Sequence, residues 1–115
     1  MRRGDIYLVD LEPAVGHGAN KKRPAVLVTN DAANRMADRG GRGVLAVVPV
    51  TSNITQVRTF QVLLHAEDCG LKRDSKAQCE QIRALDLSRF GNRIGVVPPQ
   101  IMKAIDRALR QQLAL

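Results

Sequence analysis

Three short segments combine residue types that could act on a phosphodiester. They are Asn20-Lys21-Lys22-Arg23-Pro24, Pro49-Val50-Thr51-Ser52-Asn53 and Glu80-Gln81-Ile82-Arg83. Three adjacent cations are commonly a solvated surface. Here a proline follows them and restrains the backbone behind Arg23, so the guanidinium leaves the chain at a defined place. Its planar fork can hold two oxygens of one phosphate, which an ammonium does less well. Thr51 and Ser52 set two hydroxyls just after an apolar run, where such residues either cap a turn or bond a ligand. The Gln81 amide both donates and accepts, which suits the edge of a nucleobase. Whether it points inward or outward depends on register.

The soft ligands are few: Cys69, Cys79, His17 and His65. Structural zinc sites present their ligands in close pairs, and neither C-x2-4-C nor H-x3-5-H occurs here. No metal site and no cofactor is expected. A cytosolic chain keeps its thiols reduced, so no disulfide is expected either. Cys79 reads as a small buried hydrophobe on a strand, Cys69 as a loop residue.

The elements that must position these groups belong to a chain of 115 residues, short enough to predict one domain over 1–115. Eighteen Lys and Arg against eleven Asp and Glu leave a net charge of +7, a field that attracts polyanions. One Tyr, two Phe and no Trp argue against binding built on aromatic stacking. No apolar run approaches the roughly 20 residues that span a bilayer, and no signal-peptide core follows Met1-Arg2-Arg3. The expected location is the cytoplasm, away from membranes.

Alternation over residues 4–11 predicts a first strand, with Ile6 and Leu8 on one face and Tyr7, Val9 and Leu11 on the other. A long polar loop follows over 13–23. Pro24 opens a second strand over 25–29, apolar on both faces. Asn30 and Asp31 cap a short helix to about 39, which Gly40-Gly41 ends. Further strands are expected over 44–50, 58–65, 77–85 and 94–97. Pro49 implies an edge or bulge near the end of the third strand. Pro99 starts a helix in which Ile101, Ile105, Leu109 and Leu113 form an apolar stripe with Met102 and Ala108 beside it. Short strands without a βα alternation predict a mainly β, α+β fold: a small, strongly curved antiparallel barrel of five to seven strands.

In this order the segments resemble the MazF/PemK (Kid-like) toxins of toxin–antitoxin systems. The resemblance rests on Arg3-Gly4-Asp5-Ile6-Tyr7-Leu8-Val9-Asp10-Leu11-Glu12-Pro13 and on Arg23-Pro24-Ala25-Val26-Leu27-Val28 with Asn30-Asp31. It rests equally on the Pro-x-Thr-Ser of Pro49-Val50-Thr51-Ser52, on Asp74-Ser75 and on Glu80-Gln81-Ile82-Arg83-Ala84-Leu85-Asp86 with Ser88-Arg89. It runs nearly end to end.

The resemblance implies an SH3-like barrel of the CcdB/Kid type. It further implies a homodimeric, metal-independent endoribonuclease that cuts single-stranded RNA at short motifs. The RNA would be messenger, ribosomal or transfer RNA, and a cognate acidic antitoxin would silence the enzyme. It assigns catalysis to Arg23 and Thr51 and RNA binding to Gln81; residue type adds Lys21, Lys22 and Ser52 as expected RNA contacts. Many members carry a glutamate in the first loop. Gly16-His17-Gly18-Ala19-Asn20 has none, which leaves His17 as the substitute base or RNA contact. His65 reads as structural. Two other activities fit such a barrel: a CcdB-like toxin that poisons gyrase by protein contact, and a barrel that binds RNA without cutting it. The Arg23-Pro24 and Thr51-Ser52 pair favours the ribonuclease.

Overall fold

The structure, a computed structural model, describes residues 1–11 and 22–115. Seven strands and three helices follow one another: β1 (Asp5–Asp10), β2 (Lys22–Leu27), α1 (Asp31–Gly40), β3 (Val44–Thr51), β4 (Gln61–Leu64), α2 (Ala66–Cys69), β5 (Ser75–Gln78), β6 (Arg83–Asp86), β7 (Phe90–Val96) and α3 (Pro99–Leu113). All strand pairings are antiparallel, in the order β4-β5-β3-β2-β1-β7, with β6 also on β3. Among the described residues the end strands β4 and β7 are not paired with each other, so the sheet curls without closing.

The apolar runs of β2 and β3 fill two cores because alternate side chains leave opposite faces of a sheet. Ile6, Val26, Val28, Val48 and Val50 join one cluster. Val9, Ala25, Leu27, Leu45 and Val47 join the other. Helix α3 covers the first through Met102, Ile105, Ala108 and Leu109. Ile101 packs against the same cluster, so the expected stripe holds except at Leu113, which stands half exposed at the helix end. Helix α1 reaches the second cluster through Ala37. Its N-cap is Asn30, which accepts from the Ala33 N–H, and Gly41 ends it in the left-handed region at φ 68°.

Three expected strands change. The strand expected over 58–65 shortens to β4, because the Gln61 N–H donates to the Arg58 carbonyl and closes a turn before it. The strand expected over 77–85 breaks: Cys79–Gln81 form a single 3-10 turn between β5 and β6. Both strands lie on the same edge of β3, β5 at Val50 and Thr51, β6 at Val44–Val47. The turn steps past Val48 and Pro49, and proline has no N–H to offer a ladder. The last strand starts earlier than expected, at Phe90. Cys69 is not a loop residue: it ends α2 and is buried. Cys79 is buried as expected but on the 3-10 turn, and both thiols are free. Most of the expected polar loop over 13–23 lies outside the described residues. Its last two positions, Lys22 and Arg23, already belong to β2.

Candidate functional site

Strands β2 and β3 run antiparallel with Ala25 opposite Pro49. The ladder ends at that pair, and Arg23 and Thr51 lie two residues beyond it on their strands. Arg23 is exposed at the start of β2, and Thr51 is half-buried at the end of β3. Both border the same two cavities. The first, of about 390 Å³, is bounded by Lys22, Arg23, Thr51, Ser52, Lys72 and Arg73, with Leu71 and Ser75 among its other walls. The second, of about 230 Å³, sets Arg23 and Thr51 against Gln78, Gln81 and Arg83. Arg23 and Thr51 thus stand between a cation-rich hollow and an amide-rich one.

Thr51 fulfils the turn role its type suggested. Its hydroxyl oxygen accepts from the Asn53 N–H at 3.2 Å, while Asn53 accepts from the Thr55 N–H and hydroxyl. That oxygen retains its own proton for a further acceptor. Gln81 is exposed on the 3-10 turn and faces the second cavity, which settles its direction. Ser52 is exposed at the rim of the first. The Lys22 side chain lies over Gly91 of β7: a methyl at that glycine would sit 2.8 Å from its ammonium nitrogen. His17 and Lys21 lie outside the described residues.

The site is electropositive because its cations are unpaired and the nearby acids are engaged. Among the described residues Lys22, Arg23, Lys72 and Arg73 have no ion-pair partner. Asp74 accepts from the Ala66 N–H at 2.8 Å and faces His65, whose ring is 3.9 Å away. That exposed pairing fits the structural reading of His65. Glu80 accepts from Gln61. Arg83 donates to the Leu11 carbonyl at 3.0 Å, which ties the second cavity to the end of the first strand. Among the described residues, no cluster of three or more His, Cys, Asp or Glu could hold a metal ion.

Residue type and spacing do not assign Lys72 and Arg73 to the site, nor Gln78 and Arg83. Arg83 belongs to the Glu80-Gln81-Ile82-Arg83 segment, where residue type alone gives it no role. Lys72-Arg73 was visible only as two cations in a polar loop, and their wall of the cavity depends on how that loop folds back on β5.

A curved antiparallel sheet whose guanidinium and hydroxyl border both a cationic and an amide-lined hollow defines a small basic protein equipped to handle a polyanion. A family described as "PemK-like, MazF-like toxin of type II toxin-antitoxin system" matches residues 2–113, and the chain belongs to that family. It is 54% identical over 115 residues to Endoribonuclease MazF9 of Mycobacterium tuberculosis, covering 100% of this chain and 98% of that relative. It is 33% identical over 116 residues to Endoribonuclease EndoA of Bacillus subtilis, covering 100% and 96%. Among solved structures, an endoribonuclease in complex with its cognate antitoxin from a mycobacterial species superposes with a TM-score of 0.78 at 26% identity, covering 100% and 96%. A MazF structure from Deinococcus radiodurans, 22% identical with a TM-score of 0.78 and coverage of 100% and 97%, shares the fold. Among the described residues no helix is long and apolar enough to cross a membrane.

Proposed function

We propose that this toxin is an endoribonuclease that cuts single-stranded RNA with Arg23 and Thr51 as its catalytic pair. What supports the assignment is one relationship: Arg23 and Thr51, at the start of β2 and the end of β3, border the same two cavities. The substrate's 2′-hydroxyl oxygen attacks the adjacent phosphorus while its proton passes to a base. The bond from phosphorus to the 5′-oxygen breaks, and that oxygen takes up a proton. The products are a 2′,3′-cyclic phosphate and a 5′-hydroxyl, with no metal required by the balance. Arg23 stabilises the extra negative charge of the phosphorane, commonly the largest catalytic contribution. A guanidinium holds its protons too tightly to be a good donor, so its role is electrostatic. Thr51 bonds a phosphoryl oxygen and holds the in-line geometry. His17 is the candidate for that base or for an RNA contact, on residue type alone.

Gln81, with Gln78 beside it, reads a base edge in the second cavity; single-stranded RNA exposes such edges. Lys22, Ser52 and Lys21 guide the backbone. The working form is a cytoplasmic homodimer of one domain per chain, held silent by a cognate antitoxin whose acidic segment competes for the basic groove. Primer extension on one long RNA incubated with the protein in EDTA tests the reading. The wild type should leave discrete ends at a short motif. Arg23→Ala, folded by circular dichroism, should cut at least about 100-fold more slowly. Undiminished cutting by that variant overturns the site, and gyrase-dependent DNA breaks without RNA ends would make this a protein-directed toxin instead.

A further inference from the structure

We propose that Lys72 and Arg73 form a subsite for the backbone phosphate of a nucleotide neighbouring the scissile one. The inference rests on the ribonuclease reading and adds to it a second point of grip on the RNA. Both side chains line the 390 Å³ cavity together with Arg23 and Thr51, and neither borders the cavity that Gln81 lines. Both are exposed, and among the described residues neither has an ion-pair or side-chain hydrogen-bond partner. The one acid beside them in sequence does not neutralise them. Asp74 turns its carboxylate to the Ala66 N–H, facing His65.

The segment that carries them is anchored at several points. The Leu71 N–H donates to the Ala66 carbonyl at 3.0 Å, and Leu71 packs against the first core cluster. The Ser75 hydroxyl donates to the Arg73 carbonyl at 3.0 Å. Cations on an anchored backbone lose less freedom when they bind an anion than cations on a free loop do. The chemistry of the two hollows differs accordingly. Gln78 and Gln81 offer paired donors and acceptors, which discriminate base edges. Lys72 and Arg73 offer donors and charge alone, which suit a phosphate and carry no sequence information.

The test uses the full chain and the exposed double variant Lys72→Gln with Arg73→Gln. Equilibrium binding is measured over a salt series to a short, mixed-sequence single-stranded RNA carrying 2′-O-methyl groups, which cannot be cut. The variant should bind roughly tenfold more weakly, and its dependence of log K on log salt should flatten by about 0.7 for each phosphate that is no longer neutralised. On cleavable RNA the KM should rise with kcat held, and the cleavage motif should not change. Unchanged affinity and salt slope overturn the subsite. A changed motif overturns it too, because the side chains would then be reading bases, and so does a fall in kcat at constant KM. If the wild type neither binds nor cuts RNA, the ribonuclease reading itself falls and the subsite falls with it.

Discussion

The Gln61 amide donates to the Glu80 carboxylate, Nε2 to Oε2 at 2.8 Å, and with its own oxygen accepts from the Arg58 N–H at 3.0 Å. The pair joins the 3-10 turn that carries Gln81 to the loop that leaves Thr51. The second Glu80 oxygen is buried with no partner among the described residues, so the carboxylate depends on Gln61. Gln61→Ala should cost about 1–3 kcal/mol, the penalty for stranding a buried acceptor. Gln61→Glu should cost at least as much by setting two carboxylates together. Adding Glu80→Gln to it exchanges donor and acceptor and should recover most of the loss, since the Arg58 N–H still meets an oxygen. Urea unfolding of the four proteins measures this, and a double variant no better than Gln61→Glu would show that the bond does not couple the two segments.

The parts of the fold visible in sequence are those where apolar periodicity and local stop signals agree. β1, β2, β3, α1 and α3 are of this kind, with Asn30, Gly41 and Pro99 marking ends. The 77–85 stretch misleads because Ala77 and Cys79 alternate inward as a strand requires, and nothing local announces the turn after them. That turn answers to Pro49 on another strand, a relation that exists only once the sheet forms. In the candidate site, Arg23 and Thr51 are marked by a neighbouring proline and by Pro-x-Thr-Ser. Lys72 and Arg73 have no such mark, since charge in a polar loop has the same pattern whether or not it faces a cavity.

Two glycines of β7 should answer very differently to alanine. At Gly95 a methyl would run into the Cys69 carbonyl, a backbone atom of the helix end packed against it. Gly95→Ala should therefore destabilise the protein by about 3 kcal/mol, an overpacking cost with no flexible neighbour to absorb it. At Gly91 the nearest atom is the Lys22 ammonium at 2.8 Å, with the Leu8 carbonyl oxygen at 3.1 Å. Lys22 is exposed and can swing aside. Gly91→Ala should lose less stability and weaken RNA binding by displacing that cation. Thermal melts and the same RNA titration separate the two, and equal melting losses would contradict the difference in neighbours.

The buried thiols set a further expectation. Burial, and then the Glu80 charge, push the Cys79 thiol up to about 11 from an ordinary 9.0. Burial raises Cys69 as well. Thiolate is the reactive form, so a thiol-specific reagent should label neither cysteine in the folded protein and both after unfolding. Linkage gives the sign for stability. Between about 9 and about 11 the unfolded chain has released the Cys79 proton while the folded chain keeps it, so stability falls as pH rises through that window and is untouched below it. Tyr7, raised chiefly by its burial, pulls in the same direction. Comparison with Cys79→Ala isolates the thiol, because that variant keeps Tyr7 and Cys69. Its unfolding free energy should fall less steeply with pH above about 9 than the wild type's. Parallel slopes would mean that Cys79 titrates in the folded protein as it does in the open chain, and that its enclosure by the 3-10 turn exerts no hold on its proton.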